Sequence, residues 1–182
     1  MVNGFVSKLK DKLLVSTTPK IPEKEEKKPP TPSQEKYRQF WTGLIEEFKK
    51  RNPGITKRKT GKLSWFTISC FGIGGIHLEW AFHVGYEKKG SWLGTEIHFE
   101  KNDREFNHKI TEYFENKKDK LEEKIGEKLV FQKEWIKNGT WSRIYAKKNA
   151  EVITDEVKEW AIDRMGKFYD VFKPMLEEYL KK

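Results

Sequence analysis

Three of the four histidines in this chain, and two glutamates, fall on alternate positions of two short segments: His77, Glu79 and His83 in the first, Glu96 and His98 in the second. Imidazole nitrogen and carboxylate oxygen are the donors that Zn(II), Fe(II) and Mn(II) favour. In the first segment these residues alternate with Ile76, Leu78, Trp80, Phe82 and Val84, the period of a strand with one apolar face. The stretch Thr95-Glu96-Ile97-His98-Phe99-Glu100 repeats the rule. Paired as neighbours, the two strands would merge their polar residues into one imidazole and carboxylate surface, either open to water or covered by helices.

Strand geometry limits what that surface can hold. His77 and His83 are six residues apart, about 20 Å along an extended strand, and cannot share one ion unless a bulge intervenes. The residues left for a metal site are His77, Glu79, Glu96 and His98, and no metal or other cofactor is expected. Restriction-type nucleases place an acid on the second strand and Glu-x-Lys on the third to hold magnesium and activate water. Glu79 and Glu96 stand at suitable places, but the third strand reads Glu96-Ile97-His98, and Glu100-Lys101 has the wrong spacing. A catalytic centre would therefore be drawn from Glu79, Glu96 and His98, and a divergent or degenerate nuclease is the alternative to the expected non-enzyme. Gly72-Ile73-Gly74-Gly75 lacks the Lys and Ser/Thr of a phosphate-binding loop and reads as a β-turn.

A basic constellation offers different chemistry. Lys49, Lys50, Arg51, Lys57, Arg58, Lys59 and Lys62 fall within fourteen residues that contain no acid, and Trp65 follows. Lysines neutralise phosphates without sequence preference and an aromatic ring stacks on a base, so these eight residues are the candidate contacts to DNA or RNA. Solvated loop charge, with Trp65 in the core, is the alternative. Trp135, Trp141, Arg143 and Tyr145 form a third cluster, in which Arg143 either packs between aromatic rings or presents its guanidinium to a ligand.

The 182 residues suit one domain with an extension, and seven Trp, six Tyr and twelve Phe supply the apolar area for a core. A net charge of +9 and a pI near 9.4 favour acidic partners. The excess of Lys and Glu resembles thermophile composition, and an AT-rich genome yields much of the same Lys bias. Cys70 stands alone in an apolar run, which excludes a disulfide framework and predicts a small core hydrophobe in a reducing cytosol. No stretch approaches the roughly 18 to 20 apolar residues of a spanning helix.

Residues 1–15 place Val2, Phe5, Val6, Leu9 and Leu13 at helical spacing, an amphipathic helix able to dock on its own domain or on a protein partner. Residues 16–34, with five prolines among Lys and Glu, read as a tether of polyproline II character. A single α+β domain is predicted over residues 35–182. A helix carrying Tyr37, Phe40, Trp41, Leu44, Ile45 and Phe48 stops at Asn52-Pro53-Gly54. Strands at 63–71, 75–84 and 92–99 form a meander, and one helix over 103–125 follows. Strands at 128–135 and 140–147 join at the Asn138-Gly139 turn, and a final helix begins at Thr154, with Pro174 set to kink or restart it. The order is α-β-β-β-α-β-β-α, with helices on one face of a mostly antiparallel sheet.

Within this layout stand Phe40-Trp41, Trp65, Gly75-Ile76-His77-Leu78, Thr95-Glu96-Ile97, the run 120–126 leading into Leu129-Val130-Phe131, Ser142-Arg143-Ile144, and Lys167-Phe168 followed by Phe172-Lys173-Pro174. In that order they resemble a prokaryotic domain of unknown function, DUF4268, over about residues 35–178. The resemblance implies a module found free-standing or fused behind restriction-type nuclease domains, associated with DNA handling or defence. It implies no catalytic residues. Residues 1–34 lie outside it.

Overall fold

The computed structural model describes residues 29–136 and 139–181. The predicted helix over 1–15 and most of the tether lie outside the described residues. The first helix, α1 (Pro32–Arg51), starts inside the segment expected to be tether, because Thr31 caps it. The Thr31 hydroxyl accepts from the Gln34 backbone, the Gln34 side chain accepts from the Thr31 backbone, and Pro32 supplies a preset φ in the first turn.

The remaining elements are β1 (Trp65–Ser69), β2 (Ile76–His83), β3 (Trp92–Phe99), α2 (Arg104–Glu115), α3 (Lys118–Ile125), β4 (Val130–Lys133), β5 (Ser142–Asn149) and α4 (Asp155–Tyr179). All strand pairs are antiparallel, in the order β1-β2-β3-β5-β4. The meander is therefore as expected, and the β4–β5 hairpin docks on it through its second strand. The expected single helix over 103–125 is two. Residues 115–120 are all polar, so nothing anchors that turn to the core, and the chain re-enters it through Leu121 and Ile125. Conversely, α4 runs through Pro174 without a break. The carbonyl freed by that proline belongs to Asp170, on the exposed side of the helix, where water can satisfy it.

One sheet face holds the core. Leu78, Ile97, Ile144 and Phe131 lie across from one another on four adjacent strands, and Trp80, Phe82, Phe99 and Phe66 share their side. Trp41 of α1 stacks on Trp80 and Phe66, the Trp80 indole donates to the Ala161 carbonyl of α4, and Phe114 of α2 stacks on Phe99. Helices α1, α2 and α4 thus pack against the apolar face, and α3 packs on α4 and α2. Cys70 is exposed, against expectation: β1 ends at Ser69 after an irregularity at Thr67/Ser69, and Cys70 opens a turn closed by the Ile73 N–H on its carbonyl. No described helix is long and apolar enough to cross a membrane.

Candidate functional site

The other sheet face carries the polar rows. His77, His98, Arg143 and Gln132 lie in register across β2, β3, β5 and β4. Thr67, Glu79, Glu96, Tyr145 and Val130 form the next row, followed by Trp65, Ala81, Gly94 and Lys147, and then by His83, Trp92 and Asn149. No described helix packs here, yet the central groups are buried: Glu96 is fully inaccessible, and Glu79, His98 and Arg143 are nearly so. The cover is the face's own side chains. His83 stacks on Trp92 at 3.7 Å, Trp92 on Tyr145 at 5.3 Å, and the Arg143 guanidinium sits between the Tyr145 and Trp135 rings at 4.6 and 4.7 Å. Trp135 closes the arc edge-on to His98. The face is thus neither freely hydrated nor helix-covered, and Arg143 packs between aromatics.

Beneath this arc Glu96 is the hub. Its Oε1 accepts from His83 Nε2 at 2.6 Å, and its Oε2 accepts from His98 Nε2 at 2.8 Å and from an Arg143 guanidinium nitrogen at 2.9 Å. The carboxylate folds back over Gly94, where a Cβ would collide with Oε1, so the glycine makes room for the acid. The other two guanidinium nitrogens of Arg143 donate to Gln132 Oε1 at 2.8 and 3.0 Å.

His98 has a carboxylate on each nitrogen, with Glu100 Oε1 3.0 Å from Nδ1. Carboxylates only accept, so this geometry calls for an imidazolium. Burial, the largest influence, pushes the His98 pKa down, but the hydrogen bonds to Glu100 and Glu96 and the charges of Glu79 and Glu96 outweigh it and raise it to about 9. For Glu96, burial pushes upward, and His83, His98 and Arg143 together hold the carboxyl below its ordinary value.

A second grouping overlaps the first. His77 lies across from His98, ring centroids 5.0 Å apart, and Glu79 reaches toward both, with 3.4 Å to His77 Nε2 and 3.7 Å to His98 Nε2. One donor atom from each of His77, Glu79 and His98 lies within 4.8 Å of the others. His83, stacked on Trp92 at the far end of β2, is outside this triangle, as strand rise requires. The candidates Glu79, Glu96 and His98 are therefore brought together, and the sequence reasoning missed His83 and Arg143 as partners of Glu96. The alternation placed His83 on this face, but nothing local could place Arg143, whose strand pairs with β3 across some fifty residues of chain.

The basic candidates lie apart from these groups: Lys49, Lys50 and Arg51 form the last turn of α1, and Lys57 and Arg58 lie against the end of β1. Lys50 pairs with Glu47, and Arg51 forms a two-pronged contact with Glu159 and another with Glu47. Lys49 is half-buried; Lys57, Arg58, Lys59 and Lys62 are exposed, and none of the four has a carboxylate partner among the described residues. Trp65 is 47% exposed on the polar face rather than in the core. Lys57 and Arg58 share a groove with Lys173 of α4 and the Tyr169 ring, which stacks on Phe71. Only the tertiary fold brings Lys173 there.

Residues 36–176, well over half of the chain, match the family model of a domain of unknown function, DUF4268, and the chain belongs to that family. No curated protein and no solved structure matches it.

Proposed function

We propose that this family member is a non-catalytic binding domain that contacts nucleic acid, accessory to prokaryotic DNA-handling or defence proteins. The observation that carries the reading is the set of Lys57, Arg58, Lys59 and Lys62, exposed and without carboxylate partners among the described residues, in the segment that leads from α1 to the half-exposed Trp65 at the start of β1. Unpaired cations release counterions from a phosphate backbone, and an exposed indole stacks on an unpaired base. Lys173 extends the same positive edge, and Lys50 and Arg51, already paired, contribute less.

Fluorescence anisotropy with a labelled single strand and a labelled duplex tests this. Three or four neutralised phosphates give a single-strand salt slope of about −2 to −3. Lys57→Glu, Arg58→Glu and Lys59→Glu together should weaken binding at least about tenfold at low salt, and Trp65→Ala should weaken the single strand more than the duplex. Absence of binding at low salt, or binding indifferent to salt, overturns the reading.

A divergent metal-dependent nuclease is the second reading, favoured by the adjacency of Glu79, Glu96 and His98. Against it, both oxygens of Glu96 already accept hydrogen bonds from His83, His98 and Arg143, so magnesium or an attacking water would have to compete with the hub for this carboxylate. DNA cleavage with magnesium or manganese, lost on Glu96→Ala in a protein that remains folded, would establish the nuclease instead.

A further inference from the structure

We infer that His77, Glu79 and His98 form a binding site for one divalent first-row transition ion, with zinc the natural occupant. Zinc bound tetrahedrally at about 2.0 to 2.1 Å from each donor needs donor atoms about 3.4 Å apart. The Glu79 carboxylate stands 3.4 Å from His77 Nε2 and 3.7 Å from His98 Nε2, and all three donors lie within 4.8 Å of one another. The two short distances belong to different Glu79 oxygens, Oε2 toward His77 and Oε1 toward His98, so the carboxylate spans the two imidazoles. Side-chain torsions on fixed strands must close the remaining gap, on the order of an ångström, to bring one donor atom from each residue to coordination distance.

The surroundings are those of a held ligand set. Glu100 Oε1 accepts from His98 Nδ1 at 3.0 Å, the carboxylate–histidine arrangement that fixes a ligand ring, and an ion on Nε2 would displace the bond that Nε2 now makes to Glu96 Oε2. His77 and His98 are cross-strand partners on paired β2 and β3, so their spacing is set by the sheet rather than by a loop. Trp135 and His77 wall the His98 ring, and His77, partly exposed, leaves an approach from solvent.

Charge argues the same way. Glu79, Glu96 and Glu100 converge on His98, while among the described residues Arg143 is the one permanent cation in contact with any of these carboxylates. Two negative charges remain for protonated imidazole or a divalent ion to balance. Zinc takes the place of the proton on His98 Nε2, and Glu96 keeps its bonds to His83 and Arg143. Two imidazoles in the donor set favour zinc, nickel or cobalt over magnesium or calcium, which prefer oxygen alone. The site does not depend on the nucleic-acid edge, which lies at β1.

The untagged full chain, stripped with chelator and incubated with zinc chloride, should retain about one zinc per chain by elemental analysis after gel filtration. Zinc at about a hundredfold over its Kd should raise Tm by about 5 to 10 °C, and magnesium at the same concentration should leave it unmoved. His77→Ala and Glu79→Gln, neither of which touches the Glu96 hub, should each abolish stoichiometric retention, and Glu100→Gln should weaken affinity about tenfold or more. Cys70→Ser should bind as the unaltered chain does. No retained zinc, retention undiminished in both His77→Ala and Glu79→Gln, or retention lost in Cys70→Ser would each overturn the assignment.

Discussion

Glu96→Gln isolates what the buried hub contributes, because the amide keeps the shape of the carboxylate and removes its charge. Glu96 is inaccessible to solvent and faces two cations, the His98 imidazolium and the Arg143 guanidinium. With charge centres about 4 Å apart and an effective dielectric near 20, each pair is worth about 4 kcal/mol of attraction. Several kcal/mol of desolvation oppose that sum, which leaves about 3 to 5 kcal/mol as the cost of removing one partner and stranding the others. The amide nitrogen adds to it, since it cannot accept from Arg143 or from an imidazolium at His98, as the carboxylate oxygens do. Urea denaturation followed by tryptophan fluorescence at neutral pH, with metal chelated, should show this loss and a Tm lower by about 6 to 15 °C. Glu79→Gln, whose contacts are 3.4 and 3.7 Å and not hydrogen bonds, should cost less than Glu96→Gln under the same conditions. Arg143→Met should recover part of the Glu96→Gln loss, with a coupling of about 2 kcal/mol or more. A Glu96→Gln cost under about 1 kcal/mol, or costs for Glu96→Gln and Arg143→Met that simply add, would refute the hub.

Two further outcomes follow from the geometry and are read by the same denaturation assay. Gly94→Ala puts a methyl where Glu96 Oε1 lies, so it should cost about 1 to 3 kcal/mol, and much less in a Glu96→Gln background whose carboxylate contacts are already lost; equal costs in both backgrounds would show that the glycine serves some other purpose. Thr31→Ala removes the acceptor of the α1 cap and should cost about 1 kcal/mol, whereas no change would place the true start of the folded domain at residue 35.

The alternation of β2 and β3 was legible from the residues because each strand has one wet or polar face and one dry face, and a pattern of period two survives in the sequence. The α1 stripe was legible for the same reason at helical period. What was not legible depended on pairing at a distance or on backbone departures from the pattern. Cys70 occupies an inward position if the alternation is simply continued, but the bulged end of β1 takes it out of the sheet. The split between α2 and α3 was written only as a lack of apolar residues, a weaker signal than a breaker would have been.

For the site the distinction is sharper. Local alternation puts His77, Glu79 and His83 on one face of one strand, and the same rule puts Glu96 and His98 on one face of another. It says nothing about which strand lies beyond β3. If β4 had paired there directly, Gln132 would have stood where Arg143 stands, and Glu96 would have been buried without a permanent cation. Docking β5 in that place delivers Arg143 to Glu96 and Tyr145 to Trp92 in a single register. The register also decides the chemistry. With Arg143 committed to Glu96, the second glutamate of the row is neutralised and held, while Glu79, one strand farther from the arginine, keeps its carboxylate directed at two imidazoles. The two acids that looked equivalent along the chain are therefore separated by their neighbours into a structural anion and a candidate ligand, which is why the metal site argued above contains Glu79 and leaves Glu96 out.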